Sequence, residues 1–198
     1  MTKLINKVIK ALIISECILN SAWGFIGPIF AIFIVETITM GDPGRAARVA
    51  GFSTLVYWFV KSFLQIPISR YLDKNHGERD TFWFNFSGRA LIAIVPFGYL
   101  VSSLPWHIYA CQVVYALGSA MIIPSFYSIF TKFIDKGKEA FEWGMNSTML
   151  GFGVGITGAL GGILYSYFGY QIIFILVGSV TILSALVMLF VKKEVFEK

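Results

Sequence analysis

Six runs of about 20 apolar residues, each long enough to cross the ~30 Å hydrocarbon core of a bilayer as a helix, constrain this chain more than any motif in it. They lie near 11–35, 48–69, 82–103, 106–130, 144–167 and 170–191, with short connections between them. In a chain of 198 residues they leave no room for a soluble domain, so 1–198 reads as one all-α transmembrane domain of six helices. Charged residues are 14% of the chain, against roughly 25% in soluble proteins, which excludes a soluble globular class. The formal charge of +5 does not mark a nucleic-acid surface, because the basic residues stand at the ends of apolar runs and not in a patch interleaved with aromatics. The first run follows Lys3, Lys7 and Lys10 as a secretory signal would, yet it stays apolar to Val35, holds Glu16 and Asn20, and lacks a clean cleavage site. It reads as a retained helix.

Lys and Arg orient the spans. With the N-terminus in the cytoplasm, that side receives Lys3, Lys7, Lys10, Arg70, Lys74, Arg79, Lys132, Lys136, Lys138, Lys192, Lys193 and Lys198, and the opposite side only Arg45 and Arg48. The positive-inside rule therefore places both termini in the cytoplasm of a multi-pass plasma-membrane protein. Trp83, Trp106, Trp143, Tyr167 and Tyr170 fall near helix ends as interfacial anchors. Gly77, in the charged turn between the second and third helices, is expected to supply a positive φ. Ser103-Leu104-Pro105 and Gly169 make tight hairpins of helices 3–4 and 5–6. Pro28 and Pro124 occupy equivalent positions in the first and fourth helices, each followed two residues later by Phe, as an inverted three-plus-three repeat would have it. Coincidence explains two prolines equally well. Cys17 and Cys111 lie within helices without metal spacing or a pairing partner and read as packing residues.

Charges inside a span cost about 2.5–3.5 kcal/mol at the bilayer centre on insertion scales and mark function. Glu16, Asn20, Trp23 and Gly27 share one face of the first helix, as do Thr54, Trp58, Lys61 and Gln65 of the second and Ile108, Gln112, Tyr115 and Ser119 of the fourth. Three such stripes need a common wet space or one another. Glu16 lies at a depth from which either Lys61 or Arg89 is within reach, and three readings stand open: a titrating carboxylate coupled to proton movement, a satisfied ion pair, or basic side chains snorkelling to the interface. On the fifth helix, Gly151, Gly155, Gly158 and Gly162 form a smooth groove. It serves either packing within the bundle or reception of the second helix of another copy, with that copy's Asp73 near the start of the fifth helix. No His, Cys or carboxylate cluster has metal spacing, and no nucleophile, base and orienting group fall together, so neither an enzyme nor a resident metal or cofactor is expected.

Ser69, Asp73, Lys74, Gly77 and Arg79 follow one another as a small residue, an Asp, a basic residue, Gly and a further basic residue. That order resembles the loop signature of the major facilitator superfamily, with Ser69 in place of Gly and an extra residue before Gly77. The fifth helix is similar to the glycine-rich signature of that family's exporters through Gly153, Leu160, Gly161 and Gly162, with Thr157-Gly158 where Gly-Pro is usual. Gly118 and Ala120 fit the fourth helix, but Val114 stands where the family often carries Arg.

The resemblance implies one six-helix half of a major facilitator fold, with helices 1, 2, 4 and 5 facing a central cavity. It implies alternating-access transport of a small solute by a homodimer of such halves, a separately encoded partner half, or a non-transporting membrane scaffold or subunit. On the transport reading, Ser69, Asp73, Lys74, Gly77 and Arg79 form the cytoplasmic gate, and Glu16, Asn20, Tyr57, Lys61, Gln112 and Tyr115 line the path. The expected partners are then the lipid bilayer, the solute, protons and a second copy.

Overall fold

The computed structural model describes residues 5–75, 77–190 and 192–196, and Lys3 and Lys198 lie outside the described residues. Asn6 caps the first helix, its Oδ1 accepting from Ile9 N at 2.9 Å, and α1 runs Lys7–Gly24. The apolar run does not continue as one helix to Val35. Over residues 25–29 the α-helical ladder gives way to turns, with Phe25 N bonded to Ala22 O and Ile26 N to Trp23 O, and the chain resumes as α2 (Phe30–Phe33) and a π-helical turn, Ile34–Ile38. The cause is Pro28, which has no N–H to donate and whose ring collides with the carbonyl four residues earlier, that of Gly24. This corrects the expectation of an unbroken first helix.

The next helix, α3 (Pro43–Asn75), is longer than its apolar core 48–69. Asp42 Oδ1 accepts from Arg45 N, and Pro43 stands first, where the missing N–H costs nothing. Then follow α4 (Glu78–Leu100) and α5 (Pro105–Phe133). Gly77 has φ −97° and ψ 118° and not the expected positive φ. Because α3 persists to Asn75, the link to α4 is too short for a separate turn, and Gly77 serves as an extended N-cap residue.

The last long helix, α6 (Glu139–Leu189), is two arms joined at Gly169, whose φ of 72° and ψ of −177° suit only glycine without strain. Along the first arm, Met149 O accepts from Cys17 Sγ and Gly161 abuts Phe25, so this arm climbs in the direction of α1. On the second arm, Tyr170 and Phe174 pack on Phe33 while Ser184 meets Arg89 beside Ser15, so this arm descends. Gly169 is thus the expected hairpin. A short α7 (Lys192–Phe196) follows.

α1 lies along α6, α4 packs against α5 and α6, and α3 leans on α5. The α4–α5 approach depends on Gly88 and Gly118: a Cβ on either would come within 2.7 Å of the other's carbonyl oxygen. Pro43–Lys74, Pro105–Phe133 and Glu139–Leu189 are long and apolar enough to cross a membrane. Phe59 and Phe63 on α3 are 71% and 73% exposed, a placement that water would penalise and lipid does not. The chain is an all-α, multi-pass membrane protein.

Two large apolar clusters and a small one of Leu19, Ile92 and Ile122 fill the bundle among the described residues. One, toward Phe33, holds Tyr99, Ile108 and Phe174; the other, toward the termini, holds Ile9, Phe82, Phe130 and Met188. On α1, α4 and α6 alike, the buried polar residues Ser15, Arg89 and Ser184 fall between the two large clusters.

Candidate functional site

Arg89 projects from α4 into that polar layer and is wholly buried. Its Nη2 donates to Glu16 Oε2 at 2.7 Å, Nε to Asn85 Oδ1 at 2.8 Å, and Nη1 to Ser15 O at 3.1 Å and Ser184 Oγ at 3.4 Å. A guanidinium is a planar fork of donors with no acceptor, and here one fork ties α1, α4 and the second arm of α6 together. Asn85 extends the network to α5 by donating to Ser125 Oγ and Ile122 O. On the other side Asn20 Nδ2 donates to Glu16 Oε1 at 3.1 Å. Of the readings open for Glu16, the geometry is that of a hydrogen-bonded ion pair with Arg89, and both carboxylate oxygens are engaged. Arg89 does not snorkel.

Beside this pair opens a cavity of about 260 Å³ whose walls include Glu16, Asn20, Trp23, Tyr57, Tyr115 and Ser119. Tyr115 is stacked between Trp23, centroids 4.2 Å apart, and Tyr57, at 4.9 Å. Three helices, α1, α3 and α5, thereby contribute one aromatic wall. Lys61, one turn beyond Tyr57, is 9% exposed, with its Nζ 4.3 Å from the Trp58 ring centroid and 5.6 Å from that of Tyr57. Among the described residues no carboxylate lies within ion-pair distance of it. Gln112 turns elsewhere: its Nε2 donates to Tyr99 Oη at 3.1 Å, inside the cluster around Phe33. Of the residues expected to line a path, Glu16, Asn20, Tyr57 and Tyr115 border this cavity, and Lys61 lies one turn beyond Tyr57 without bordering it. Sequence reasoning missed Asn85 and Ser184, whose only signal was that each is a polar residue inside an apolar run.

At the cytoplasmic end, Ser69, Asp73 and Lys74 ride on the last turns of α3, Ser69 Oγ donating to Gln65 O. Asp73 borders clefts shared with Ser69, Tyr127 and Lys132 on one side and with Gln65 and Arg70 on the other. Glu78 pairs with Lys132, joining the start of α4 to the end of α5. Arg79 rests against the Phe196 ring, 5.5 Å from its centroid. Asn6 adds a second tie, donating to Phe133 O at 2.7 Å and Asp135 Oδ1 at 3.1 Å. The Asn6 amide, foremost, holds the Asp135 carboxyl below its ordinary value, and burial pushes the Glu142 carboxyl above its own. Asp135 N donates to Glu142 Oε2.

The glycines of the first arm of α6 divide. Gly153 and Gly161 face α1, where a Cβ would meet Ser21 Oγ and, at 2.6 Å, Phe25 O; Gly158 lies near Gly24 O. Gly151, Gly155 and Gly162 face open space.

The family model of the Major Facilitator Superfamily matches residues 12–198. No curated protein matches the chain. Among solved structures it is similar to the in meso crystal structure of the POT family transporter PepTSo, with a TM-score of 0.66 and 17% identity. That likeness, one of fold, covers 94% of this chain and 37% of the other.

Proposed function

The chain belongs to the major facilitator superfamily, a family of membrane transporters, and from that premise we propose that it moves a small solute across the plasma membrane by alternating access. The observation that carries this reading is the cavity walled by Glu16, Asn20, Trp23, Tyr57 and Tyr115 beside a buried ion pair. Intramembrane ionisable groups of this kind face solute or ion pathways. In this reading the single domain crosses the bilayer six times, by α1 with its continuation through α2, by α3, α4 and α5, and by the two arms of α6, with both termini cytoplasmic and the halves related as inverted repeats.

The solute path is completed by a second copy. Support comes from the exposed apolar row of α3 and the open glycines Gly151, Gly155 and Gly162, which permit close helix approach. Asp73, with Ser69, Lys74, Gly77 and Arg79, acts at the cytoplasmic gate. Glu16 is the coupling carboxylate: protonation removes its charge, weakens the bond to Arg89 and loosens α1 from α4.

The test is flux by the purified chain in liposomes, with a pH gradient imposed and a panel of small solutes offered. Solute-dependent uptake that follows the gradient, and that Glu16→Gln uncouples from it, is the expected result. Absence of flux for every solute favours a membrane scaffold or subunit, and gradient-driven uptake unchanged in Glu16→Gln removes the coupling role.

A further inference from the structure

The charges around the cavity do not balance. Glu16 from α1 and Arg89 from α4 cancel each other at 2.7 Å. From α5 the wall receives Tyr115, Ser119 and Tyr127, none of which carries charge at neutral pH. From α3 the wall receives Tyr57; Lys61, one turn beyond it and behind the wall, is more than nine-tenths buried, its ammonium over Trp58 and 5.6 Å from the Tyr57 ring centroid with no carboxylate in ion-pair range among the described residues. A cation buried in this way retains an unfilled need for an anion, because contact with aromatic faces, worth about 0.5–2 kcal/mol, offsets only part of its desolvation. The adjoining wall is the Trp23–Tyr115–Tyr57 stack, whose rings lie within 25° of parallel to their neighbours. A further ring can join such a stack in offset geometry.

We propose that the cavity selects small solutes joining an aromatic ring to a carboxylate, the ring lying against the Trp23–Tyr115–Tyr57 stack and the carboxylate meeting Lys61 Nζ. The volume of about 260 Å³ within one copy is below that of sites for drug-sized ligands and matches a single-ring acid. The proposal rests on the reading of this cavity as the solute site. A carboxylate at Lys61 leaves the Glu16–Arg89 pair intact, whereas an amine drawn to Glu16 meets a carboxylate whose charge Arg89 already neutralises and whose two oxygens each already accept a hydrogen bond. An aromatic cation is therefore disfavoured by the charge of Lys61 and by the neutralisation of Glu16 by Arg89.

Titration calorimetry on the full chain in nanodiscs, at fixed ionic strength, separates the choices with phenylacetate, its near-isostere phenylacetamide and phenethylammonium. Phenylacetate is expected to bind at least tenfold more tightly than either of the others. Lys61→Met is expected to abolish that preference, and Lys61→Arg, which keeps the charge and serves as the folding control, to retain it. Equal binding of the amide or the amine, no binding of phenylacetate, or a preference that survives in Lys61→Met overturns the proposal. Flux is scored separately: phenylacetate bound selectively through Lys61, with no flux of it or of any other solute offered, sustains the inference while removing the transport reading. Transport of phenethylammonium without phenylacetate binding does the reverse.

Discussion

Arg89 has no route to water, so each N–H of its fork must find an acceptor within the bundle, and four of the acceptors come from α1, α4 and α6. Removing one member of a buried ion pair strands the other and typically costs about 3–5 kcal/mol. Arg89→Met and Glu16→Gln are each expected to destabilise the protein on that order in detergent-titrated unfolding, while the double variant recovers part of the loss. Strict additivity of the two single effects contradicts the pairing. At the cytoplasmic tie the two carboxyls act in opposite senses. Asp135, held below its ordinary 3.8, contributes stability that is present above that value and lost as pH falls through its folded value. Glu142, raised above its ordinary 4.5, favours the folded state while protonated, and that contribution is lost as pH rises through its folded value. Stability measured against pH is thus expected to flatten on the acid side in Asp135→Asn and just above 4.5 in Glu142→Gln. At this scale the helix faces were legible, because Glu16, Asn20 and Trp23 follow helical spacing. The choice of Arg89 over Lys61 as partner was not, since depth along a helix places both within reach and only the packing of α3 at the edge of the bundle separates them.

At the scale of elements, the same residue type meets opposite outcomes. Pro28 breaks its helix, yet α3, α4 and α5 run through Pro67, Pro96 and Pro124. The proline correspondence that hinted at a repeat therefore has no common local geometry. Glycine divides in the same way on the first arm of α6. Gly161→Val drives a side chain into the Phe25 carbonyl and is expected to lower thermal stability sharply, whereas Gly155→Val meets open space within the chain and leaves the bundle folded. Circular-dichroism melts of the two variants check this; equal loss in both contradicts the packing of α1 on α6. The glycine-rich arm was visible as a groove in the sequence, but periodicity could not say which side faces α1. Gly153 and Gly161 took that role because Ser21, Gly24 and Phe25 lie opposite them.

For the whole molecule, hydrophobic run length made the class plain, and the family match over residues 12–198 agrees with it. The chain spans little more than a third of the POT family transporter whose fold it shares. Within it, α3 touches mainly α5 and leaves an apolar row outward, and the open glycines lie on another edge of the bundle. If two bundles join across these faces, Gly155→Val, harmless to the single bundle, weakens their association. The central claim is that two copies together enclose the solute path, and the mass of the lipid-embedded particle, by native mass spectrometry in nanodiscs, tests it most directly. A particle of two chains, shifted toward one by Gly155→Val, is the result predicted; a stable single-chain particle at all concentrations contradicts it.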